Sequence, residues 1–301
     1  MNYKYKCLLQ RLFSSLPKGE ILNYYFQRHV SKSLHYRPEQ FVEKVDKAYD
    51  HFKNYRDFQQ LASPENKYYE FGAGWTLANP LAISLMGFDV FCIDIRRLFF
   101  PHIIKESILN LKAIEDRFPF EAAFKIDTDI NEQDIIEHLK QAFNLKYLAP
   151  KDARSTGFES EYFDFMSSSL TMEHIPAVDI AAILKECHRI LKEGGVLSMT
   201  IDYQDHWSYF DRSITRYNYL RFSESEWKKY NPSLHYQNRL RHSDHMKLIN
   251  ASGFEVVKEV PNHPSPQEVE ELRSVPLADQ YKSYDFDDLA IKSSEVVLRK
   301  S

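Results

Sequence analysis

The chain has 301 residues, of which 39 are basic and 43 acidic, so its formal net charge at pH 7 is −4. This length fits one large domain or a typical domain with additions, and the charge balance argues against nucleic-acid partners. The three cysteines have no CxxC spacing, so the sequence indicates neither a disulfide framework nor a zinc site. No apolar run approaches the ~20 residues of a membrane span, and the N-terminus lacks the pattern of a secretion signal. We therefore expect a cytoplasmic protein without a membrane span.

The first 64 residues differ in character from the rest of the chain. Residues 1–62 are charged and rich in aromatic side chains, with weak helical periodicity over 24–30 and 41–61. Pro64 then favours a turn, which marks a boundary. We therefore expect an N-terminal helical lid over residues 1–64 and a second domain over residues 65–301.

Short apolar runs alternate with amphipathic segments through most of residues 65–301. The predicted strands cover, in chain order, residues 68–71, 90–93, 145–149, 162–166, 196–201, 254–260 and 294–299. The clearest predicted helices cover residues 77–86, 131–143, 177–191 and 243–251. Residues 203–245 are interpreted as a helical substrate-binding insertion, and residues 261–276 as a proline-rich loop. Strands that alternate with helices through short turns predict an α/β fold with a doubly wound, mostly parallel sheet.

A pair of glycines follows the first predicted strand, in the sequence Glu70-Phe71-Gly72-Ala73-Gly74. Glycines here let the backbone turn sharply and approach a ligand closely. Asp94 ends the second strand, where a carboxylate can accept two ribose hydroxyls. A dinucleotide fingerprint would need a small residue where Leu77 stands, and the acidic Glu70 suits a positively charged ligand better than a pyrophosphate. The pattern favours a cofactor with a positive end, such as the amino and sulfonium groups of S-adenosylmethionine.

Five motifs in a fixed order resemble those of class I S-adenosylmethionine-dependent methyltransferases. They are the glycine loop 70–76, Asp94, the pair Asp152-Ala153, the fourth-strand segment 163–168 and the helix-turn-strand segment 187–197. The resemblance implies a Rossmann-like seven-stranded sheet with an antiparallel last strand, and S-adenosyl-L-methionine as the cofactor. It implies a cofactor site formed by Glu70, Gly72, Ala73, Gly74, Thr76, Asp94, Ile95, Asp152, Ala153 and Ser168. The alternative is a related scaffold that binds another nucleotide or has lost its cofactor.

Methyl transfer to a hydroxyl needs a group that removes the hydroxyl proton. The best candidate is His206, which follows the fifth strand, with Asp202 or Asp205 to orient its ring. His206 could instead merely cap a turn. The same three residues could also ligate a divalent metal, but their spacing is not diagnostic and the prediction includes no metal. His174, after the fourth strand, could face the substrate or pack beside the cofactor.

A second polar cluster precedes the helix predicted at residue 243. The guanidinium groups of Arg239 and Arg241 suit phosphate or carboxylate, but they could equally form internal salt bridges. Aromatic side chains upstream offer faces that could stack on a sugar or base. The predicted substrate contacts are His174, Trp207, Tyr217, Arg239, Arg241 and His242.

Segments 202–206, 217–221 and 237–244 also resemble a bacterial methyltransferase subgroup associated with surface-polysaccharide biosynthesis. This resemblance implies O-methylation of a small polar acceptor, anionic or glycosyl, such as a sugar, a nucleotide sugar or a sugar phosphate. The alternatives are an N-methyltransferase of a small metabolite, a protein- or RNA-directed methyltransferase, and a non-catalytic subunit with the same fold. The sequence leaves the oligomeric state open.

Overall fold

The computed structural model describes residues 2–17, 19–30, 38–120 and 126–301. Seven strands form one sheet in the order β3-β2-β1-β4-β5-β7-β6. Their bounds are β1 Lys67–Phe71, β2 Asp89–Ile93, β3 Leu145–Leu148, β4 Phe163–Ser169, β5 Leu191–Asp202, β6 Glu255–Asn262 and β7 Ser293–Arg299. Strand β7 lies antiparallel between β5 and β6, whereas the pairs among β1 to β5 are parallel. The predicted fold class is confirmed.

Helices cover both faces of the sheet. The α-helices are α1 Tyr3–Ser14, α2 Gly19–Tyr25, α3 Pro38–Phe58, α4 Ala78–Ser84, α5 Pro101–Ala113, α6 Ile135–Phe143, α7 Ala177–Ile190, α8 Glu224–Trp227, α9 His242–Asn250, α10 Pro266–Arg273 and α11 Phe286–Ala290. Successive side chains of a strand point to opposite faces, so Tyr68 packs with α3 to α6 while Tyr69 packs with α7 and α9. Burial on both faces explains why the inner strands are nearly continuous apolar runs.

The strand order reverses between β1 and β4. From this point the chain runs outward through β2 and β3 on one side, and through β5 and the antiparallel strands on the other. In such sheets a crevice opens at the carboxyl ends of the two central strands, which is where ligands bind. Here those ends are Phe71 of β1 and Ser169 of β4.

The N-terminal helices pack in two different places. Helix α3 inserts Phe41 and Val45 into the core cluster that covers one face of the sheet. Helix α1 instead packs Tyr3 and Cys7 against the region that contains Trp207. The division of the chain at residue 64 stays a prediction, and residues 31–37 of the expected lid lie outside the described residues.

Two sequence expectations about the second half of the chain were wrong in detail. The proline-rich loop contains α10, because Ser265 and Glu268 form a reciprocal capping box at its start. The insertion over residues 203–245 has little helix, only α8, the start of α9 and short 3₁₀ turns. Within the described ranges, no helix has the length and apolar character needed to cross a membrane.

Candidate cofactor and acceptor site

A cavity of about 710 Å³ opens at the carboxyl ends of β1, β2 and β4. Its floor is the loop after β1, and its sides are the residues that follow β2 and β4. Helices α2 and α3 and the segment 233–236 complete the wall. The volume lies within the range typical of cofactor and small-molecule sites.

The glycine loop has the backbone geometry that its sequence predicted. Gly72 and Gly74 have φ angles of 75° and 67°, in the left-handed region that favours glycine. A Cβ atom on Gly72 would lie 2.4 Å from Cγ2 of Thr171, so no larger residue fits there. A Cβ on Gly74 would have no neighbour within 4 Å, and the Gly74 N–H donates a hydrogen bond of 3.1 Å to Oδ2 of Asp94. The loop is thereby tied to the end of β2 while part of its backbone borders open space.

Two buried carboxyl groups line this cavity. Burial raises the pKa of Glu70 to about 8, with a further contribution from the charge of Asp94, although the Tyr68 hydroxyl donates to Glu70 at 2.7 Å. Burial likewise raises the pKa of Asp94 to about 6, despite the hydrogen bond from Gly74. Both carboxyls would become more acidic beside a positive charge. The residues therefore fit a cofactor with amino and sulfonium groups.

The other predicted cofactor residues divide into two groups. Ala73, Thr76 and Ile95 line the cavity together with the glycines. The structure does not bring the remaining three, Asp152, Ala153 and Ser168, to the cavity wall.

Each of these three lies in a different environment. Asp152 pairs with Arg154 at 2.6 Å, because a guanidinium two residues along captures its carboxylate. Ala153 packs against the core cluster on the α7 side of the sheet. Ser168 is fully buried, and its neighbour Ser169 faces the cavity instead.

An imidazole pair lies at one end of the site. His174 lines the cavity, and its Nδ1 lies 2.7 Å from the backbone oxygen of Tyr236. Because a carbonyl can only accept, Nδ1 carries the proton and Nε2 keeps a lone pair. The ring of His206 packs edge-on at 4.9 Å between centroids. Its Nε2 lies 3.2 Å from Oδ2 of Asp202, which also accepts a hydrogen bond from the Tyr209 hydroxyl.

The surroundings shift the pKa values of the two histidines in opposite directions. Desolvation, and next the neighbouring His206, lower the pKa of His174 to about 4, although its ring is exposed to the cavity. Burial alone would lower the pKa of His206, but the hydrogen bond and charge of Asp202, with the charge of Glu173, outweigh it and raise that pKa. The same pairing keeps the pKa of Asp202 low in spite of its burial. The site thus contains a neutral imidazole beside one that holds a proton more readily.

Asp205 has a structural position rather than a catalytic one. Its Oδ1 accepts a hydrogen bond of 2.8 Å from the Trp207 N–H, and its Oδ2 accepts one of 3.0 Å from the Asn218 amide. Asp205 therefore caps the short 3₁₀ turn that begins at His206. With both oxygens occupied and no exposed surface, it does not orient the imidazole. Of the two carboxylates predicted beside His206, only Asp202 contacts the ring.

The structure does not bring Arg239 and Arg241 to the cavity, because both guanidinium groups form hydrogen bonds inside the protein. Arg241 is fully buried and donates to the backbone oxygens of Tyr203, Leu289 and Ile291 at 2.7 to 2.8 Å. Arg239 donates to the backbone oxygen of residue 219 at 3.0 Å and pairs with a glutamate of α8. Neither lines the cavity. The internal alternative considered for these arginines is the one the structure adopts.

The remaining predicted substrate contacts also lie away from the cavity, except for His174. Trp207 is buried, with its indole N–H 2.9 Å from the backbone oxygen of Tyr230. Tyr217 is buried, and its hydroxyl donates to the backbone oxygen at residue 290 at 2.8 Å. The Nε2 of His242 lies 2.8 Å from the carboxylate of Glu259. Trp207 therefore joins two parts of the 203–245 segment, whereas Tyr217 and His242 tie that segment to residues outside it.

Sequence reasoning missed the contribution of the N-terminal helices. On α3 a polar stripe lines the cavity, formed by Gln40, Glu43, Lys44 and Lys47. Its spacing of i, i+3, i+4 and i+7 is the detectable signal, since such residues share one helix face. The Nζ of Lys44 lies 3.3 Å from Oγ1 of Thr76 in the glycine loop. The N-terminal region is therefore part of the wall of the site.

An aromatic stack holds α2 at the same wall. The Tyr24 ring lies 3.9 Å from that of Phe100 and 5.5 Å from that of Trp75 in the glycine loop, between centroids. The Tyr24 hydroxyl also lies 2.6 Å from Nε2 of His102. Each residue is separated in sequence from its partners, so periodicity gave no signal for this contact.

Comparison with known proteins agrees with this geometry. Residues 110–199 match a family model described as a methyltransferase domain, which spans the sheet from α5 to β5. No curated protein matches the sequence.

The chain is similar to several solved structures. The PH0226 protein of Pyrococcus horikoshii OT3 is 12% identical, with a TM-score of 0.50 over 93% of this chain and 99% of that chain. At this identity the likeness concerns the fold alone. Geranyl diphosphate C-methyltransferase from Streptomyces coelicolor A3(2) is 11% identical, with a TM-score of 0.49 over 87% and 83%. A SAM-dependent methyltransferase from Methanosarcina mazei is 15% identical, with a TM-score of 0.45 over 81% and 95%.

The family match covers β3 to β5 but begins after the glycine loop. The evidence for that loop comes from the structure. The sheet reverses at β1 and β4, and the glycine loop, Glu70 and Asp94 meet there around one cavity. Together these findings support a methyltransferase that uses S-adenosylmethionine as its cofactor.

Proposed function

We propose that this enzyme methylates a hydroxyl group of a small polar acceptor, such as a sugar, a nucleotide sugar or a sugar phosphate. The observation that carries the proposal is an imidazole–carboxylate group at one end of the cofactor cavity. His174 faces the cavity, His206 packs against it, and Asp202 binds His206 from behind. Ionising a hydroxyl is the step that such a group assists, whereas N-methylation needs less help.

The proposed cofactor contacts follow from the cavity wall. Glu70 would bind the positive amino end, and Asp94 would accept the ribose hydroxyls through the oxygen that Gly74 leaves free. The backbone at Gly74 gives close access, because nothing stands where its Cβ would be. When bound, S-adenosylmethionine supplies the electrophilic methyl group and a sulfonium leaving group.

The histidines have distinct proposed roles. His174 faces the cavity and packs against the ring of His206, so its side chain positions the acceptor hydroxyl oxygen by contact. As that oxygen bonds to the methyl carbon, its proton leaves to His206. Asp202 holds the imidazole of His206 and stabilises the positive charge that it acquires. Asp202 is thus a positioning residue.

The proposal of an anionic acceptor needs other cationic residues than the two arginines that the sequence suggested. Since Arg239 and Arg241 are internal, they give no support for an anionic acceptor. Three other cations line the cavity, Lys44 and Lys47 of α3 and Arg96 after β2, and Lys44 contacts Thr76. In the described part of the chain no carboxylate forms an ion pair with Nζ of Lys47, whereas Arg96 pairs with Glu20 at 3.3 Å. Lys47 is therefore the proposed contact for a phosphate or carboxylate group.

Labelled S-adenosylmethionine offered with panels of sugars, nucleotide sugars, sugar phosphates and amines tests the proposal. We expect label in an oxygen-linked methyl group of at least one glycosyl acceptor, located by NMR of the product. The variant Asp94→Ala serves as the control for cofactor-dependent transfer. Label found only on nitrogen of the amine panel would show that the hydroxyl assignment is wrong. A protein that binds S-adenosylhomocysteine but labels no member of any panel would contradict the acceptor class.

A further inference from the structure

The side chain of Glu173 is buried without a hydrogen-bond partner. Only 2% of the residue is exposed, and neither carboxylate oxygen is hydrogen-bonded to any of the described residues. A buried carboxyl group left in this way carries a substantial desolvation cost, so an unsatisfied one needs an explanation. A bound cation is the natural partner for such a group.

The turn that carries Glu173 is held in place. The Asn238 amide group donates to the backbone oxygens of Met172 and Ile175 at 2.8 and 2.9 Å. The Asn238 backbone N–H donates to the backbone oxygen of Glu173 at 2.8 Å. These three bonds fix the 3₁₀ turn on both sides of Glu173. Its unsatisfied carboxylate is therefore a property of a well-anchored element.

Two histidine nitrogens lie beside this carboxylate. Glu173, His174 and His206 each offer one ligand atom, and these atoms all lie within 4.8 Å of one another. Nδ1 of His174 is taken by a backbone oxygen, which leaves Nε2 as a ligand. Asp202 binds the ring of His206, as outer carboxylates commonly do for metal-binding histidines.

We propose that Glu173, His174 and His206 bind a divalent transition-metal ion at the acceptor end of the cavity. Two imidazoles with one carboxylate suit zinc, iron, cobalt or manganese better than magnesium or calcium, which prefer oxygen ligands. Three protein ligands leave positions open for water or for an acceptor oxygen. His174 lines the cavity, so a bound ion would adjoin it.

This inference goes beyond the proposed function and alters one part of it. A hydroxyl bound to the ion would ionise more readily, since a metal lowers the pKa of its oxygen ligands. His206 would then be a ligand, and its role as proton acceptor would belong to the metal-free protein. Metal binding itself needs no acceptor, so it can be tested separately from the methyl-transfer proposal.

The test titrates Co²⁺ into the full-length, metal-stripped protein and follows the visible absorption of the bound ion, with Zn²⁺ calorimetry as a second measurement. We expect one equivalent to bind to the wild type. Glu173→Gln should weaken binding by more than about 100-fold, since even outer-sphere changes cost ten- to 100-fold. Glutamine keeps the size of the side chain, and His174→Ala provides a second ligand variant should Glu173→Gln fold poorly.

His188→Gln is the matched control, because this histidine lies in the last turn of α7 and packs against Phe254, away from the cavity. It should bind the metal as the wild type does. Binding of S-adenosylhomocysteine by each variant shows that the cofactor site is folded. A wild type that binds no Co²⁺ or Zn²⁺, or ligand variants that bind as tightly as the wild type, would overturn the metal site while leaving the hydroxyl-methylation proposal standing.

Discussion

The ionisation of Glu70 should make cofactor affinity depend on pH. Burial raises the pKa of this carboxyl to about 8 in the free protein, so at pH 7 only about one molecule in ten has it ionised. A ligand amino group favours the ionised form. Glu70 is mostly neutral at low pH and becomes charged as pH rises through 8. The affinity for the cofactor must therefore rise over the same interval.

The size of the effect follows from the contact. A hydrogen bond to a charged group contributes about 1.5–3 kcal/mol, which corresponds to about ten- to 150-fold in affinity. In Glu70→Gln the side chain resembles the neutral acid at every pH. At pH 6 the wild type should therefore bind less than about threefold more tightly than the variant. At pH 9 it should bind about ten- to 100-fold more tightly.

Isothermal titration calorimetry with S-adenosylhomocysteine, which keeps the amino group, measures both proteins across this range. Taking the ratio of the two dissociation constants at each pH cancels the titration of the ligand itself. A ratio that stays flat between pH 6 and 9 would refute the assignment of Glu70 to the amino end. A ratio that falls with rising pH would mean that the neutral acid is the form that binds.

Three further substitutions test separate parts of the site. Asp94→Ala should weaken cofactor binding by about 1.5–3 kcal/mol, the scale of a charge-assisted hydrogen bond, and an unchanged affinity in calorimetry would remove Asp94 from the ribose contact. His206→Ala should leave cofactor affinity intact and slow turnover by about two to four decades, because the proton acceptor is lost; full activity would exclude it from the mechanism. Arg241→Met should lower the free energy of unfolding by about 3 kcal/mol, since the buried backbone oxygens of Leu289 and Ile291 lose the guanidinium donor. Denaturant unfolding measures this change, and a variant as stable as the wild type would contradict the structural role.

Local patterns were enough to predict the sheet and the cofactor end of the site. The apolar runs of β1 and β2 each end in a residue with a distinct chemical role, and parallel strands bring those ends to one edge. The positive φ angles of Gly72 and Gly74 follow from residues that can adopt them at little cost. These patterns therefore predict that Glu70 and Asp94 border one cavity, and both line it.

The acceptor end of the site could not be predicted from the sequence in the same detail. Residues 203–245 have little regular helix or strand, so no periodicity says which side chains face inward. Arg241 looks like an anion-binding residue in sequence, yet its donors are used by carbonyl groups 38 to 50 residues away. Asp152 lies away from the cavity wall for a more local reason, since Arg154 binds its carboxylate.

Short-range sequence patterns predict the seven strands, their helices, and a glycine loop between two acids. Tertiary structure alone decided which polar side chains meet, because their partners come from segments far apart in the chain. The α3 stripe reaches the glycine loop through the contact of Lys44 with Thr76, 32 residues later. The isolation of Glu173 beside His174 and His206 depends on packing between β4, β5 and the turn at Asn238. Burial and hydrogen-bond satisfaction are properties of the assembled fold, and they distinguish the histidines beside the cavity from the arginines bonded inside the protein.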